Sequence, residues 1–179
     1  MSTHVALLKA VNLVNHNRVT TPELCGLFES VGLREPRGLL ASGNVLFTSK
    51  TADSQTLAEK LGRAAEKQLG LRTTFFVRSA PDWRGVVEGN PFTDQAKQNP
   101  GHLIVLTLAA APSRDAASAL TKAIAGREIV YVHGRTAYAV YPDGAGNSKL
   151  TTALIERKLG TLCTGRNWNT VLKIAALLS

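Results

Sequence analysis

The apolar positions of the first 80 residues follow two patterns. Short continuous apolar runs that end in polar turns are typical of buried strands, whereas apolar residues at i, i+3, i+4 and i+7 are typical of amphipathic helices. Thr20 with Glu23 fits a capping box, or Thr21 caps the same helix with Pro22 in its first turn. The patterns predict strand, helix, strand, strand, helix and strand, at residues 4–11, 20–31, 38–41, 44–48, 54–69 and 73–78.

The same order of elements recurs in the second half of the chain. A helical piece at residues 81–88 and a loop at 89–101 with two Asn-Pro dipeptides separate the two halves, and such a loop is typical of a linker. The later elements are predicted at residues 102–108, 113–124, 128–132, 136–141, 148–159, a very short strand near 162–163, and a last helix at 168–178.

A duplicated β-α-β-β-α-β order predicts an α+β fold. Each half is expected to be a ferredoxin-like subdomain, an antiparallel sheet with its helices on one face, and a C-terminal helix completes the chain. The predicted division is an N-terminal subdomain at 1–80, a helical piece and linker at 81–101, and a C-terminal subdomain at 102–179.

Composition favours a globular protein of the cytoplasm. Hydrophobic residues make up 44% of the 179 positions, enough for a buried core, and no apolar stretch reaches the roughly 18 residues that a membrane span needs. The first residues lack the basic leader and cleavage site of a signal peptide. Cys25 and Cys163 lie far apart and form no CxxC motif, which favours reduced thiols.

The net charge of +8 is concentrated near the end of the chain. The last 31 residues contain five Lys or Arg and one acidic residue. A basic surface attracts polyanions, so nucleic acid is a candidate partner, although charge alone supports it weakly. No segment matches the aromatic RNA-binding motif of RRM domains.

A glycine-rich loop at residues 141–151 is one candidate binding site. Gly144 and Gly146 free backbone amides just before a helix predicted to begin near Ser148, and Lys149 adds a positive charge; together these groups favour an anion. The spacing is not that of a Walker A loop. The alternative is an ordinary strand-to-helix turn in which Ser148 or Asn147 caps the helix.

The segment TGRNWNTV (164–171) is the second candidate. Asn167 is a natural N-cap for the last helix, and Trp168 falls on its apolar face. Neither capping nor core packing explains Arg166 or Asn169. An arginine beside a helix N-terminus is electrostatically unfavourable unless an anion joins it, so both residues are expected to contact a ligand.

Polar residues of two earlier loops complete the candidate set. The first loop contributes Asn12, His16 and Asn17, and a turn contributes Ser42 and Asn44. His16 could serve as an acid or base, but a lone histidine among asparagines is more often a surface turn residue. The four histidines are widely spaced and match no metal motif, and no cofactor is predicted.

These motifs together resemble the DUF1697 family along nearly the whole chain. The matching segments, in family order, are ALLKAVN (6–12), HNRV (16–19), ASGNVLF (41–47), NPF (90–92), DGAGNSKLT (143–151), ERKLG (156–160) and TGRNWNT (164–170). The resemblance implies two ferredoxin-like subdomains in a small cytoplasmic protein of bacterial type, and no established reaction. The family's polar positions correspond to Asn12, His16, Asn17, Ser42, Gly43, Asn44, Ser148, Lys149, Arg166, Asn167 and Asn169.

The first loop departs from the family pattern. Family members resemble Arg-Gly-(Ile/Val)-Asn-Val-Gly-Gly-His-Asn there, whereas residues 9–17 read KAVNLVNHN, so three glycines are replaced. A ligand that approaches this backbone closely would fit less well. The C-terminal motifs are intact and therefore carry more of the functional prediction.

The leading expectation is a binding protein for a phosphate-bearing ligand, either a nucleotide or a nucleic acid backbone. Lys149, Arg166 and two helix N-termini would hold the anion, and the first loop would form one wall. One alternative is an enzyme on a small polar metabolite with His16 as acid or base. A further alternative is a structural or oligomerisation module in which Arg166 pairs with a carboxylate.

Overall fold

The computed structural model describes residues 1–9, 19–40 and 43–179. The chain divides into two compact units, residues 1–85 with 174–179, and residues 86–173. Each unit contains one four-stranded antiparallel sheet. The α+β architecture of two ferredoxin-like halves is thereby confirmed.

The first unit is built from four strands and two helices, followed by a short third helix. In chain order these are β1 (Ser2–Leu8), α1 (Thr21–Ser30), β2 (Arg34–Leu39), β3 (Asn44–Ser49), α2 (Ser54–Leu69), β4 (Phe75–Ser79) and α3 (Ala80–Glu88). The strand order is β2-β3-β1-β4, so β3 and β1 are the central strands and β2 and β4 are the edge strands.

The helix ends of this unit follow local sequence signals. Thr20 and Glu23 form the predicted capping box, in which the Thr20 hydroxyl oxygen accepts from the Glu23 amide and the Glu23 carboxylate accepts from the Thr20 amide. Asp53 caps α2, and Gly70 ends it in a left-handed conformation with φ of 61°. Both helices bury apolar side chains against one face of the sheet.

The second unit repeats this plan. Its elements are α4 (Thr93–Gln98), β5 (Leu103–Leu108), α5 (Arg114–Ala123), β6 (Ile129–His133), β7 (Thr136–Val140), α6 (Thr152–Leu159), β8 (Cys163–Asn167) and the start of α7 (Trp168–Leu178). The strand order β6-β7-β5-β8 matches that of the first sheet. Ser113 caps α5 and Gly160 ends α6, both as the sequence predicts.

Four predicted elements differ clearly from the structure. The strand predicted at 38–41 begins earlier, as β2 at Arg34–Leu39. The linker at 89–101 contains α4, because Thr93 to Gln98 have few breakers between the two prolines. Strand β8 is longer than predicted and extends through Arg166 to Asn167. Helix α6 begins at Thr152 rather than Ser148, and the Thr151 hydroxyl accepts from the Leu154 amide at 3.2 Å as its cap.

In the central strands β1 and β5, residues on the face away from the helices are also buried, whereas Ile129 and Tyr131 of the edge strand β6 are exposed. Leu7 in β1 and Leu103 in β5 each have no exposed surface, and they lie on strands whose neighbouring positions face the helices. Such strands read as continuous apolar runs, which is the pattern that the sequence shows. Among the residues described, no helix is long and apolar enough to cross a membrane.

Candidate anion-binding site

Four of the predicted site residues lie outside the described part of the chain. They are Asn12, His16, Asn17 and Ser42. The acid–base role suggested for His16 therefore stays a prediction. Asn44 is described: it is 1% exposed at the start of β3, and its side-chain amide donates to the Leu39 carbonyl at 2.9 Å. That bond closes the β2–β3 connection, which gives Asn44 a structural role.

The glycine-rich loop carries two carboxylates that the sequence argument did not place there. The Ser148 hydroxyl donates to the Glu128 carboxylate, and this bond lowers the pKa of Glu128. Asp143 accepts from the Arg127 guanidinium, with an Nε to Oδ2 distance of 3.2 Å, and so raises the pKa of that arginine. An anion at this loop would meet both negative charges.

The Ser148 side chain is also engaged by the backbone of its own loop. Its hydroxyl oxygen accepts from the Leu150 amide at 3.0 Å, and the residue is extended with ψ of 142°. The prediction that Ser148 or Asn147 caps a helix is therefore wrong, because Thr151 does so. Gly144 has a φ of 84°, a left-handed value that the turn requires. Lys149 is exposed.

Arg166 does not lie in solvent at a helix N-terminus. It lies in strand β8 opposite Val105, is only 7% exposed, and donates from Nη1 to the Thr164 hydroxyl at 2.9 Å and the Gly165 carbonyl at 2.8 Å. Burial lowers the pKa of Arg166 to about 10. Arg166 is buried because β8 extends farther than its apolar residues indicate, and its contact with a ligand stays a prediction.

The rest of the TGRNWN segment is explained by folding. A Cβ added to Gly165 would lie 2.9 Å from Ile104 Cγ2, so the strand tolerates only glycine there without movement. The Asn167 side-chain oxygen accepts from the Thr170 amide at 3.0 Å, which confirms the predicted cap. Trp168 is 6% exposed, and Asn169 alone of the predicted pair is exposed.

Strand register brings part of the predicted set to one end of the second sheet. Leu103 pairs with Val140 and Ile104 pairs with Asn167, so the loop after β7 and the start of α7 follow the same sheet end. Gly144, Gly146, Ser148, Lys149, Asn167 and Asn169 belong to these two segments. Asn44 belongs to the other unit.

A basic cleft in the first unit was not predicted. It has a volume of about 290 Å³ and lies where the end of α1, the start of β2, the end of β3 and the first turns of α2 meet. Its lining includes three cationic side chains and four hydroxyl side chains, and none of the described lining residues carries a carboxylate: Arg34, Lys50, Lys60, Thr48, Ser49, Thr51 and Thr56.

The N-terminus of α2 is already neutralised by a side chain. The Asp53 carboxylate accepts from the Gln55 amide at 3.4 Å and from the Thr56 amide at 3.0 Å, and it also accepts from the Thr56 hydroxyl. The helix amides therefore do not supply the positive potential of the cleft. Its positive charge comes from the side chains of Arg34, Lys50 and Lys60, which are all exposed.

A β-bulge lies directly after Arg34. The register of β2 against β3 shifts between Arg34 and Arg37, and Glu35 has a left-handed φ of 51°. A bulge adds one residue to a strand and redirects the side chains beside it. Arg34 therefore begins the strand at the cleft, while the residues after the bulge follow the regular pairing.

The cleft and the predicted glycine-rich loop occupy the same place in their respective units. The cleft borders the connection from β3 to α2, at residues 50–53, and the glycine-rich loop is the connection from β7 to α6. Arg34 begins β2, whereas the acidic Glu128 immediately precedes β6. The predicted glycine-rich loop and the cleft therefore lie at equivalent connections of the two units, and Glu128 and Asp143 are the carboxylates beside the loop.

A local signal for the cleft exists in the sequence. Lys60 follows Thr56 by four positions, so both lie on one face of α2, and Lys50 directly follows β3. The charge count hides this cluster because residues 51–100 contain seven basic and six acidic residues. The charged residues indicate a site only after each is assigned to the face of the helix on which it lies.

Comparisons with known proteins agree with the duplicated fold. A structure described as that of the conserved bacterial protein SP0830 from Streptococcus pneumoniae is similar, with a TM-score of 0.76 and 20% sequence identity over 99% of each chain. A search of the curated proteins found no match. The family model for DUF1697, a protein of unknown function, matches residues 1–138. The chain therefore belongs to the DUF1697 family.

Proposed function

We propose that this protein binds a phosphate-bearing ligand in the basic cleft of its first unit. The observation that carries the proposal is the cleft of about 290 Å³ that contains Arg34, Lys50 and Lys60 and no carboxylate among its described lining residues. A phosphate ester carries up to two negative charges near neutral pH and accepts several hydrogen bonds. Three cations and several hydroxyl groups are the complementary set.

The chemistry of the cleft favours binding by side chains. Arginine can hold two phosphate oxygens at once, whereas lysine contributes a compact positive charge. Because these three side chains are exposed, their attraction to an anion is screened by water and salt. We therefore expect a dissociation constant on the order of 0.1 mM at low ionic strength, and we expect it to rise as salt is added.

The location of the ligand follows from the prediction that the protein is cytoplasmic. Both cysteines of the chain lie outside any disulfide, Cys25 half-buried and Cys163 buried. Free thiols are the usual state of cysteine in the cytoplasm, where phosphorylated metabolites and nucleic acids are also present. The proposal therefore includes a cytoplasmic ligand.

Calorimetric titration with inorganic phosphate and with ribose 5-phosphate, at 20 mM and 300 mM NaCl, tests the proposal. The full-length protein is expected to bind at the lower salt concentration and several-fold more weakly at the higher one. Lys60→Gln and Arg34→Gln are each expected to weaken binding about tenfold, because each removes one charge-assisted contact.

The matched control is Lys149→Gln in the equivalent connection of the second unit. It removes the same charge from an exposed position whose neighbourhood contains Glu128 and Asp143. This variant is expected to bind like the unmodified protein. Absence of binding at low salt, or equal weakening by Lys149→Gln and Lys60→Gln, would overturn the proposal.

A further inference from the structure

We infer that the ligand of the basic cleft is a small phosphorylated polyol or sugar rather than a nucleotide or a nucleic acid strand. This inference rests on the proposed function and narrows its ligand class. It follows from three properties of the cleft: its size, the absence of an aromatic side chain among its described lining residues, and its supply of hydroxyl groups.

The size of the cleft limits the part of a ligand that it can enclose. Its volume of about 290 Å³ lies at the lower end of ligand pockets, which range from about 300 to 1,000 Å³. A phosphate group with a short carbon skeleton fits such a space. A nucleotide would place its base outside the cleft, where the lining residues do not surround the base.

The lining chemistry argues against recognition of a base. Proteins that bind nucleotides or single strands stack the bases mainly on aromatic rings, and Arg34, the one arginine of the described lining, is assigned here to the phosphate. None of the described lining residues is aromatic, and the apolar lining is limited to aliphatic side chains, of which Leu33 and Leu57 are 5% and 2% exposed. Buried aliphatic side chains line the bottom of the cleft and offer no flat aromatic surface on which a base can stack.

The hydroxyl groups of the cleft suit a ligand that itself carries hydroxyls. Ser49 accepts from the Thr51 amide at 3.0 Å and keeps its own hydrogen for donation, while Thr56 donates to Asp53 and keeps lone pairs for acceptance. Thr51 is exposed beside them. A polyol both donates and accepts hydrogen bonds, so it satisfies both kinds of group.

The test compares four probes by calorimetry on the full-length protein at 20 mM NaCl. Glycerol 3-phosphate and ribose 5-phosphate represent the inferred class, AMP carries the same kind of phosphate with a base, and a 5′-phosphorylated oligonucleotide represents a strand. The first two are expected to bind at least as tightly as AMP, and all of them more weakly in Lys60→Gln.

A hydroxyl-deletion variant separates recognition of the polyol from recognition of phosphate. Thr51→Val keeps the shape of the side chain and is expected to weaken binding of ribose 5-phosphate about fivefold more than binding of inorganic phosphate. Tighter binding of AMP or the oligonucleotide, or no selective effect of Thr51→Val, would overturn the inference and leave the proposed function standing. Failure of all the phosphorylated probes to bind would overturn both.

Discussion

Arg78 and Arg166 occupy equivalent positions in the two sheets. Arg78 pairs with Val5 in the neighbouring strand and Arg166 pairs with Val105, and each arginine donates from Nη1 to the carbonyl of the residue before it, at 2.9 and 2.8 Å. Both side chains are buried, with 4% and 7% of their surface exposed. This repetition shows that a buried arginine on the last strand is part of the fold itself.

Replacing Arg166 is therefore expected to lower stability. Arg166→Ala removes two hydrogen bonds and leaves a cavity, so the free energy of unfolding should fall by about 3 kcal/mol. Asn169→Ala, at an exposed position three residues later, should change it by less than about 0.5 kcal/mol. Urea unfolding followed by circular dichroism measures both changes. If Arg166→Ala leaves the free energy of unfolding unchanged, the residue is not required for the fold, and a ligand contact becomes the better explanation of it.

The close approach at Gly165 gives a second stability prediction. A Cβ at this position would lie 2.9 Å from Ile104 Cγ2 and 3.3 Å from Leu106 Cδ2, so Gly165→Ala should lower the free energy of unfolding by about 1–3 kcal/mol. Gly146→Ala is the control, because a Cβ there meets no atom within 4 Å. Equal melting temperatures for the two variants would show that the strand yields more readily than its packing indicates.

The buried tyrosines of the second unit predict sensitivity to alkali. Burial raises the pKa of Tyr138 and of Tyr141 from about 10 to about 12, so each phenol ionises more readily in the unfolded chain. Between pH 10 and 12 the unfolded state loses these protons first, and stability falls by about 1.4 kcal/mol per pH unit for each tyrosine.

Tyr138→Phe provides the check on this pH dependence. The variant loses the hydrogen bond from the Tyr138 hydroxyl to the Val86 carbonyl, 2.7 Å long, and should be about 1 kcal/mol less stable at pH 7. Urea unfolding between pH 7 and 11.5 should show a shallower fall above pH 10 than in the unmodified protein. Parallel curves for the two proteins would contradict the assignment of the fall to Tyr138.

The bulge beside the cleft gives a fourth prediction. Glu35 has a φ of 51°, a region that costs a residue with a Cβ about 1–2 kcal/mol, so Glu35→Gly should raise the free energy of unfolding by up to about 1 kcal/mol. Glu29→Gly, in helix α1, should lower it by about the same amount. Thermal unfolding of both variants tests the pair; destabilisation by Glu35→Gly would mean that its side chain supports the bulge.

The sequence allowed most of the fold to be predicted. Local signals such as the Thr20 and Glu23 capping box and the left-handed Gly70 and Gly160 lie within a few residues of the element they end, so they can be read directly. Strand β8 is the instructive exception. Its residues Thr164 to Asn167 are polar or lack a side chain, and only pairing with β5 makes them a strand.

The candidate site was less predictable for a related reason. The interpretation of Arg166 as a ligand contact rested on its position beside a helix N-terminus, whereas the strand that precedes the helix buries its side chain. The cleft joins Arg34, Lys50 and Lys60 from three different elements. Such a cluster depends on which strands are neighbours, and that information lies in the sheet order rather than in any short segment.

The different placement of charged side chains at the two equivalent connections has a consequence for binding stoichiometry. A chain made of two like halves invites the expectation of two ligands per molecule. Here Glu128 and Asp143 lie at one connection. At the other, Lys50 and Lys60 line the cleft, and the Asp53 carboxylate accepts from the first amides of α2. Titration should therefore saturate at one phosphorylated ligand for each chain. The half without the ligand serves as an internal reference, because it shares the fold and lacks the cluster of basic side chains.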